Sequence, residues 1–410
     1  LSNSVQSIAP SGIRKFFDIV SEMKDAISLG VGEPDFETPW HIREEGIYAL
    51  EKGKTFYTSN SGLTELRNEI NEYIKRTQGI SYDTKKEIII TVGGSEAIDL
   101  ALRAMVNPGD EVIIPEPSYV SYEPCAVLAD AVPVIIPLKA ENEFRLTAKE
   151  LEDAITDKTK IVVLPFPNNP TGAIMEKEDL CKIAKVIEEH DLYVISDEIY
   201  AELTYKGKHV SIASLPGMKE RTILINGFSK AYAMTGWRLG YCCGPEVIMA
   251  QMLKIHQYGI MCAPRMSQVA AEEALRAGRE NGYEDVLRMR ESYDRRRRLM
   301  VDGFRKMGLH CFEPYGAFYV FPSIQKTGLG SEEFCQRLLE EKNVAAVPGN
   351  AFGPSGEGHI RCCYATAVEK ITEQGPVFVK REFSEDGEVI RQEPAELAPA
   401  DSTIIAVSQQ

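Results

Sequence analysis

Seven short runs of β-branched and other apolar residues recur along the first two thirds of the chain, at Glu87–Val92, Glu111–Pro115, Val132–Pro137, Lys160–Leu164, Leu192–Ser196, Thr222–Asn226 and Leu239–Cys243. Each is short for a helix and too continuously apolar for a strand with one wet face, so each is predicted to be a strand buried on both sides. Stretches of helical period separate most of them. That alternation predicts an α/β fold whose mostly parallel sheet carries helices on both faces.

Before the sheet, Ile13–Met23 has amphipathic spacing, ISLGVGEPDF reads as an apolar strand ending in a glycine turn, and Asp35–Lys54 and Leu63–Arg76 read as helices around the polar loop Phe56–Gly62. From Met249 the spacing is helical to about Met307, which predicts a long connecting helix. A smaller α+β lobe should follow, built from GAFYVFP (Gly316–Pro322), a helix near Glu332–Lys342, VAAVPG (Val344–Gly349) and HIRCCYA (His359–Ala365). Gly375 and Pro376 break the pattern, and the acidic remainder to Gln410 is expected to be loosely attached.

Composition narrows the partners. With 44% hydrophobic residues in 410, the chain can bury a large core in two lobes. A net charge of -15 argues against nucleic acid or an anionic membrane surface, and Arg295–Arg298 is read as a solvated helix face. Nine cysteines without CxxC spacing, two of the sets being the adjacent pairs Cys242–Cys243 and Cys362–Cys363, suit neither a disulfide framework nor a metal site. A reducing cytoplasm is expected. No apolar run reaches spanning length and no leader pattern opens the chain, so neither a membrane span nor secretion is expected.

The candidate chemistry lies at predicted strand ends. In Asn226–Gly240, NGFSKAYAMTGWRLG, a hydroxyl and an amine (Ser229, Lys230) follow one strand, and Arg238 stands between Gly236 and Gly240 with a planar fork suited to phosphate. TVGGSEA sets Gly93, Gly94 and Ser95 between a strand and a helix, which is either an anion site or an ordinary helix start; it is not GxGxxG. Asn168 and Asn169 in PFPNNPTG follow a strand, in a ligand crevice or simply in a turn. Asp197 closes another strand, as a helix cap or as the partner of a cationic ring nitrogen, with Tyr200 three residues on. Arg361, among small and apolar residues, needs an anion from a substrate carboxylate or from a structural ion pair. Tyr119 and Tyr57 are either ligand-facing or core aromatics. One ligand would use the whole set: a phosphate for Gly94, Ser95, Ser229 and Arg238, an aldehyde for Lys230, a ring nitrogen for Asp197, a phenolic oxygen for Asn169 and Tyr200, and an aromatic face for Tyr119. Pyridoxal 5'-phosphate has all of these.

In order along the chain, GVGEPDF, TVGGSEA, PNNPTGA, SDEIY, GFSKAYAMTGWRLG and HIRCCYA resemble the signature of class I/II aminotransferases of the fold type I pyridoxal-phosphate superfamily, over about Ser7 to Thr372. The intervening SGIRKFFDIV, SIASLPGMKERTI and GAFYVFP are similar to aromatic and aspartate aminotransferases of the gamma subgroup. The resemblance implies a large domain over residues 46–280 with a seven-stranded sheet, a small α+β domain from 1–45 and 281–373, and an atypical tail at 374–410. It implies that Lys230 carries the cofactor as an aldimine, that Asp197 pairs with its ring nitrogen, that Asn169 and Tyr200 meet its phenolic oxygen, and that Tyr119 stacks on it. Gly94, Ser95, Ser229 and Arg238 would hold the phosphate. Tyr57 would reach the phosphate of a neighbouring subunit, which implies a homodimer with shared sites. Arg361 and Asn169 would hold the substrate carboxylate, with Gly32 beside them. The implied reaction moves an amino group from an L-amino acid to a 2-oxo acid such as 2-oxoglutarate. Ser95 stands where some gamma-subgroup aspartate enzymes carry a lysine for the distal carboxylate, which favours aromatic or broad donors. A carbon–sulfur β-lyase shares these residues and is the alternative. A cofactor-binding regulatory module would need a basic DNA-binding domain, which this sequence does not offer.

Overall fold

The seven apolar runs become one sheet. In the computed structural model, which describes residues 1–10, 26–365, 379–383 and 389–394, the strands are β1 (Ile27–Ser28), β2 (Ile88–Thr91), β3 (Glu111–Glu116), β4 (Val132–Pro137), β5 (Thr159–Leu164), β6 (Tyr193–Asp197), β7 (Thr222–Gly227) and β8 (Gly240–Cys243). All but β1 form the central sheet, in the order β2-β8-β7-β6-β5-β3-β4. Neighbours are parallel from β7 to β4, whereas β8 runs antiparallel to both β2 and β7.

Alternation along each strand feeds two core layers. On β3, Val112 and Ile114 pack with Ala97, Ala101 and Met252, while Ile113 faces Ile183 and Ile187 on the other side. Helices supply those faces: Gly94–Met105 buries Ala97, Ile98, Ala101 and Met105, and Lys177–Glu189 buries Leu180, Ile183, Ala184 and Ile187, each at helical spacing. Each buried Leu, Ile or Met among them contributes roughly 1.5–3 kcal/mol by leaving water, and each Ala less. Every strand of the sheet therefore has both faces covered, apart from the more open β4 at its edge.

The single long helix expected after Met249 is instead three: Glu246–Gly259, Arg265–Asn281 and Glu284–Lys306. Met261 turns left-handed at a φ of 70° after the first, Pro264 is the N-cap of the second, and Gly282 and Tyr283 take left-handed φ angles of 75° and 63° between the second and third. Apolar periodicity passes through breaks this short. On the last helix, Arg295–Arg298 is not a uniformly solvated face. Arg297 is buried with Asp294 and Glu313, and Arg296 pairs with Asp35 at 2.9 Å, because Tyr293, Arg297 and Met300 share the inward stripe.

Beyond it, β9 (Tyr319–Val320), β10 (Val344–Ala345), β11 (Val347–Pro348) and β12 (Ile360–Cys363) flank the helix Ser331–Lys342. The order β11-β12-β9 is antiparallel, and β1 pairs with β10, so the N-terminal strand sits with the C-terminal part of the chain. Within the tail, β13 (Val379–Phe383) and β14 (Val389–Pro394) pair as an antiparallel ladder, which the expectation of a loose tail did not include. The predicted helix Ile13–Met23 lies outside the described residues. Among the described residues no helix is long and apolar enough to cross a membrane, and no cluster suits a metal ion.

Candidate active site

Parallel strands all deliver their following loops to one edge, and the candidate residues are found there. Strand β2 leads into Gly93 and Gly94 at the start of a helix, β3 into Tyr119, β5 into Asn169, β6 ends at Asp197, and β7 leads into Ser229 and Lys230. Because β8 is antiparallel, it begins rather than ends at this edge. That puts Arg238, just before it, beside the β2 turn. Arg361 enters from β12. Together with Gly32 these residues line one cavity of about 470 Å³, whose wall includes Gly94, Ser95, Tyr119, Asn169, Asp197, Tyr200, Ser229, Lys230, Arg238 and Arg361.

Close backbone approach shapes the anion end. A Cβ on Gly240 would sit 2.7 Å from Gly93 C and Gly94 N, and one on Gly93 would sit 2.9 Å from Arg238 Nη2. Gly93 also takes a φ of 80°, open to glycine at little cost. The helix Gly94–Met105 has no side-chain cap, so its first amides face the cavity end together with Ser95, whose hydroxyl lies 3.4 Å from that of Tyr119.

At the centre, Lys230 Nζ donates to Gly32 O at 2.7 Å and stands 5.6–5.8 Å from the ring centres of Phe318 and Tyr200. Burial lowers its pKa to about 8. Asp197 is buried, which raises its carboxyl pKa, while Tyr122 Oη donating at 2.7 Å and Ile199 N–H at 3.2 Å pull the other way. The Tyr200 and Tyr319 hydroxyls lie 2.8 Å apart, and burial lifts the Tyr200 phenol well above its ordinary range.

At the far side the Arg361 guanidinium is buried between the rings of Tyr319 and Phe352, 4.5 and 4.7 Å from their centres. Its Nη1 donates to Asn169 Oδ1 at 2.9 Å and its Nη2 to Gly30 O, and the buried Nε has no partner among the described residues. Among the described residues no opposite charge lies within 4.0 Å of Lys230, Arg238, Arg361 or Asp197. Arg361 and Asp197 are buried and Lys230 half-buried without an opposite charge at contact distance, which costs stability unless a ligand of complementary charge completes them, while Arg238 stands exposed at the cavity's edge. A ligand with a phosphate, a carboxyl-facing substrate and a cationic ring nitrogen fits that donor set.

Two expected residues are not in the wall. Asn168 is fully buried, and its Oδ1 accepts from Thr171 N at 3.1 Å and Thr171 Oγ1 at 2.8 Å, so it shapes the turn that presents Asn169. Tyr57 is 77% exposed and lies away from the cavity of its own chain. Tyr122 and Tyr319 were missed. Tyr122 follows Tyr119 by one helical turn, and Tyr319 alternates with the equally buried Phe318 in GAFYVFP, so spacing marks both as inward without telling core from cavity.

A family model described as aminotransferase class I and II matches residues 24–374. The aspartate aminotransferase of Pyrococcus abyssi is 49% identical over 374 residues, 91% of this chain and 96% of that protein. Aromatic-amino-acid aminotransferase 2 of Thermococcus litoralis is 47% identical with the same coverage, 91% and 96%. Among solved structures, an aromatic aminotransferase from Pyrococcus horikoshii superposes with a TM-score of 0.83 at 48% identity, covering 88% of this chain and 96% of that one. The aspartate aminotransferase from Thermus thermophilus with maleate gives 0.87 at 38% identity, covering 91% and 97%.

Proposed function

This chain belongs to the class I and II aminotransferases, enzymes that transaminate with pyridoxal 5'-phosphate, and on that premise we propose that it takes the amino group from aromatic or a broad range of L-amino acids, aspartate among them, and passes it to a 2-oxo acid such as 2-oxoglutarate. The observation that carries the assignment of roles is the unneutralised set of Lys230, Arg238, Arg361 and Asp197 around one cavity.

Bound there, the cofactor supplies an electron sink for charge that develops at the substrate α-carbon. Gly94, Ser95, Ser229 and Arg238 would hold its phosphate, Asp197 would favour a protonated ring nitrogen, Asn169 and Tyr200 would meet its phenolic oxygen, and Tyr119 would pack on its ring. Arg361 would offer its spare Nη hydrogens to the substrate carboxylate, with Asn169 and the Gly32 backbone bounding that end. Lys230 Nζ, whose pKa burial lowers to about 8 in the cofactor-free chain, would be the base: it would take the proton from the α-carbon of the amino donor and, in the second half of the reaction, give one from Nζ to the α-carbon of the acceptor. Tyr319 braces the Tyr200 hydroxyl and excludes water beside Arg361.

Ser95 in place of a distal-carboxylate lysine supports donors wider than dicarboxylates, and the relatives described above include both aspartate and aromatic enzymes. The exposure of Tyr57 at 77%, with Phe56 at 76% and Tyr258 at 86%, supports a homodimer in which Tyr57 serves the site of the other subunit. Nine free cysteines support a cytoplasmic location. A large domain at 46–280, and a small one from 1–45 with 281–373, would let Arg361 close on the substrate.

The test is a single half-reaction without a keto acid: holoenzyme mixed in turn with phenylalanine, tyrosine, aspartate, alanine and cystathionine. Loss of the cofactor's yellow absorbance with one equivalent of keto acid is expected, fastest with the aromatic donors. Steady ammonia release from cystathionine with the absorbance unchanged would mean a β-lyase instead.

A further inference from the structure

The turn that carries Gly93 and Gly94 is held from behind by a polar pair that makes no contact with the cavity. Glu96, in the first turn of the helix Gly94–Met105, accepts from Val92 N–H through Oε2 at 2.5 Å, and its Oε1 lies 2.8 Å from Nδ1 of His256. His256 is fully buried near the end of the helix Glu246–Gly259, and its Nε2 has no partner among the described residues. The ring's one polar contact is therefore the carboxylate behind the turn. An apolar residue would fill that space without leaving a ring nitrogen unsatisfied, so packing alone does not account for a histidine. Thr91 adds a second tie, its Oγ1 donating to Gly93 O at 2.9 Å.

We propose that His256 and Glu96 are positioning residues for the cofactor phosphate: His256 fixes the rotamer of Glu96, which pins Val92 N–H and so aims the Gly94 and Ser95 amides and the Ser95 hydroxyl at the anion. The inference rests on the reading of this turn as the phosphate site. It also explains why a carboxylate is tolerated one residue from an anion-binding serine. Glu96 is turned away from the cavity, and its charge is taken up by Val92 N–H and the imidazole.

The test compares cofactor-free wild type with Glu96→Ala, His256→Leu and His256→Asn, each titrated with pyridoxal 5'-phosphate and with pyridoxal, which lacks the phosphate. Binding is read from the cofactor spectrum, and folding of each cofactor-free variant from circular dichroism. For Glu96→Ala and His256→Leu the affinity for pyridoxal 5'-phosphate should fall about 10- to 100-fold while that for pyridoxal stays within about twofold, because only the phosphate meets the turn. His256→Asn, whose amide can replace the Nδ1 donor, should recover most of the loss. Equal losses for both ligands would make the pair a structural contact only and overturn the proposal, as would an unchanged ratio of the two affinities. Should His256→Leu not fold, Glu96→Ala and His256→Asn carry the same comparison. A wild type that binds both ligands equally would instead refute the phosphate site itself.

Discussion

Arg361 is the residue whose removal tests the substrate end of the site most directly. Its guanidinium is buried, stacked between two rings and bonded to Asn169 and Gly30, yet each Nη keeps a second hydrogen, so an α-carboxylate can be met by the two Nη atoms without breaking those bonds. Two charge-assisted hydrogen bonds are worth about 1.5–3 kcal/mol each, together about 3–6 kcal/mol, or about 10²- to 10⁴-fold in kcat/KM. Arg361→Leu removes both. Arg361→Lys keeps a point charge without the planar fork and should lose about 10- to 100-fold. The assay is the half-reaction rate against concentration for L-phenylalanine and for 2-phenylethylamine, which has the same ring and amine but no carboxylate. Wild type should strongly prefer the amino acid, and the leucine variant should lose most of that preference while its slow reaction with the amine is little changed. Since Arg361→Leu also strands Asn169 Oδ1 and Gly30 O, the comparison belongs well below the melting temperature of the variant. A leucine variant that still prefers phenylalanine as wild type does would refute the reading of Arg361.

Three further outcomes follow from the same geometry. Lys230 is pushed from 10.5 to about 8 in the folded chain, so between these values the unfolded chain binds the extra proton; cofactor-free protein should gain stability as pH rises through that window, by at most about 1.4 kcal/mol per pH unit, and denaturant titrations of Lys230→Met should lack that slope. Gly240→Ala drives a methyl to within 2.7 Å of Gly93 C and Gly94 N, which should cost about 1–3 kcal/mol in thermal unfolding and weaken cofactor binding with it; unchanged affinity would separate the turn from the phosphate. Tyr122→Phe removes the bond that opposes the burial of Asp197, so the carboxylate becomes harder to ionise and the acid limb of the half-reaction should move to higher pH, whereas an unmoved limb would show that Tyr122 does not govern Asp197.

Much of this protein was written in local pattern. Continuously apolar runs specify doubly covered strands because only a sheet with helices on both faces hides them, and Val132–Pro137 was placed to the residue. The chemistry-bearing motifs were legible for a related reason: in a parallel sheet the residue after each strand goes to one edge, so Gly94, Asn169, Asp197 and Lys230 were bound for the same edge of the sheet. Other features depend on which strand lies beside which, and periodicity carries no such information. The insertion of antiparallel β8 between β2 and β7 is what lays Arg238 against Gly93. Asn168 and Asn169 are equivalent in sequence, and only the fold turns one into the packing of a turn and the other toward Arg361. The brace of Glu96 by His256 joins residues 160 positions apart, and the pairings of Tyr122 with Asp197 and of Tyr200 with Tyr319 span 75 and 119. The sequence by itself determined the layers, the strand ends and the kinds of chemistry set upon them, since those follow from hydrophobic period and chain direction. The tertiary structure alone decided which polar atoms are paired, buried or left open, because that depends on distances between segments that no local pattern encodes.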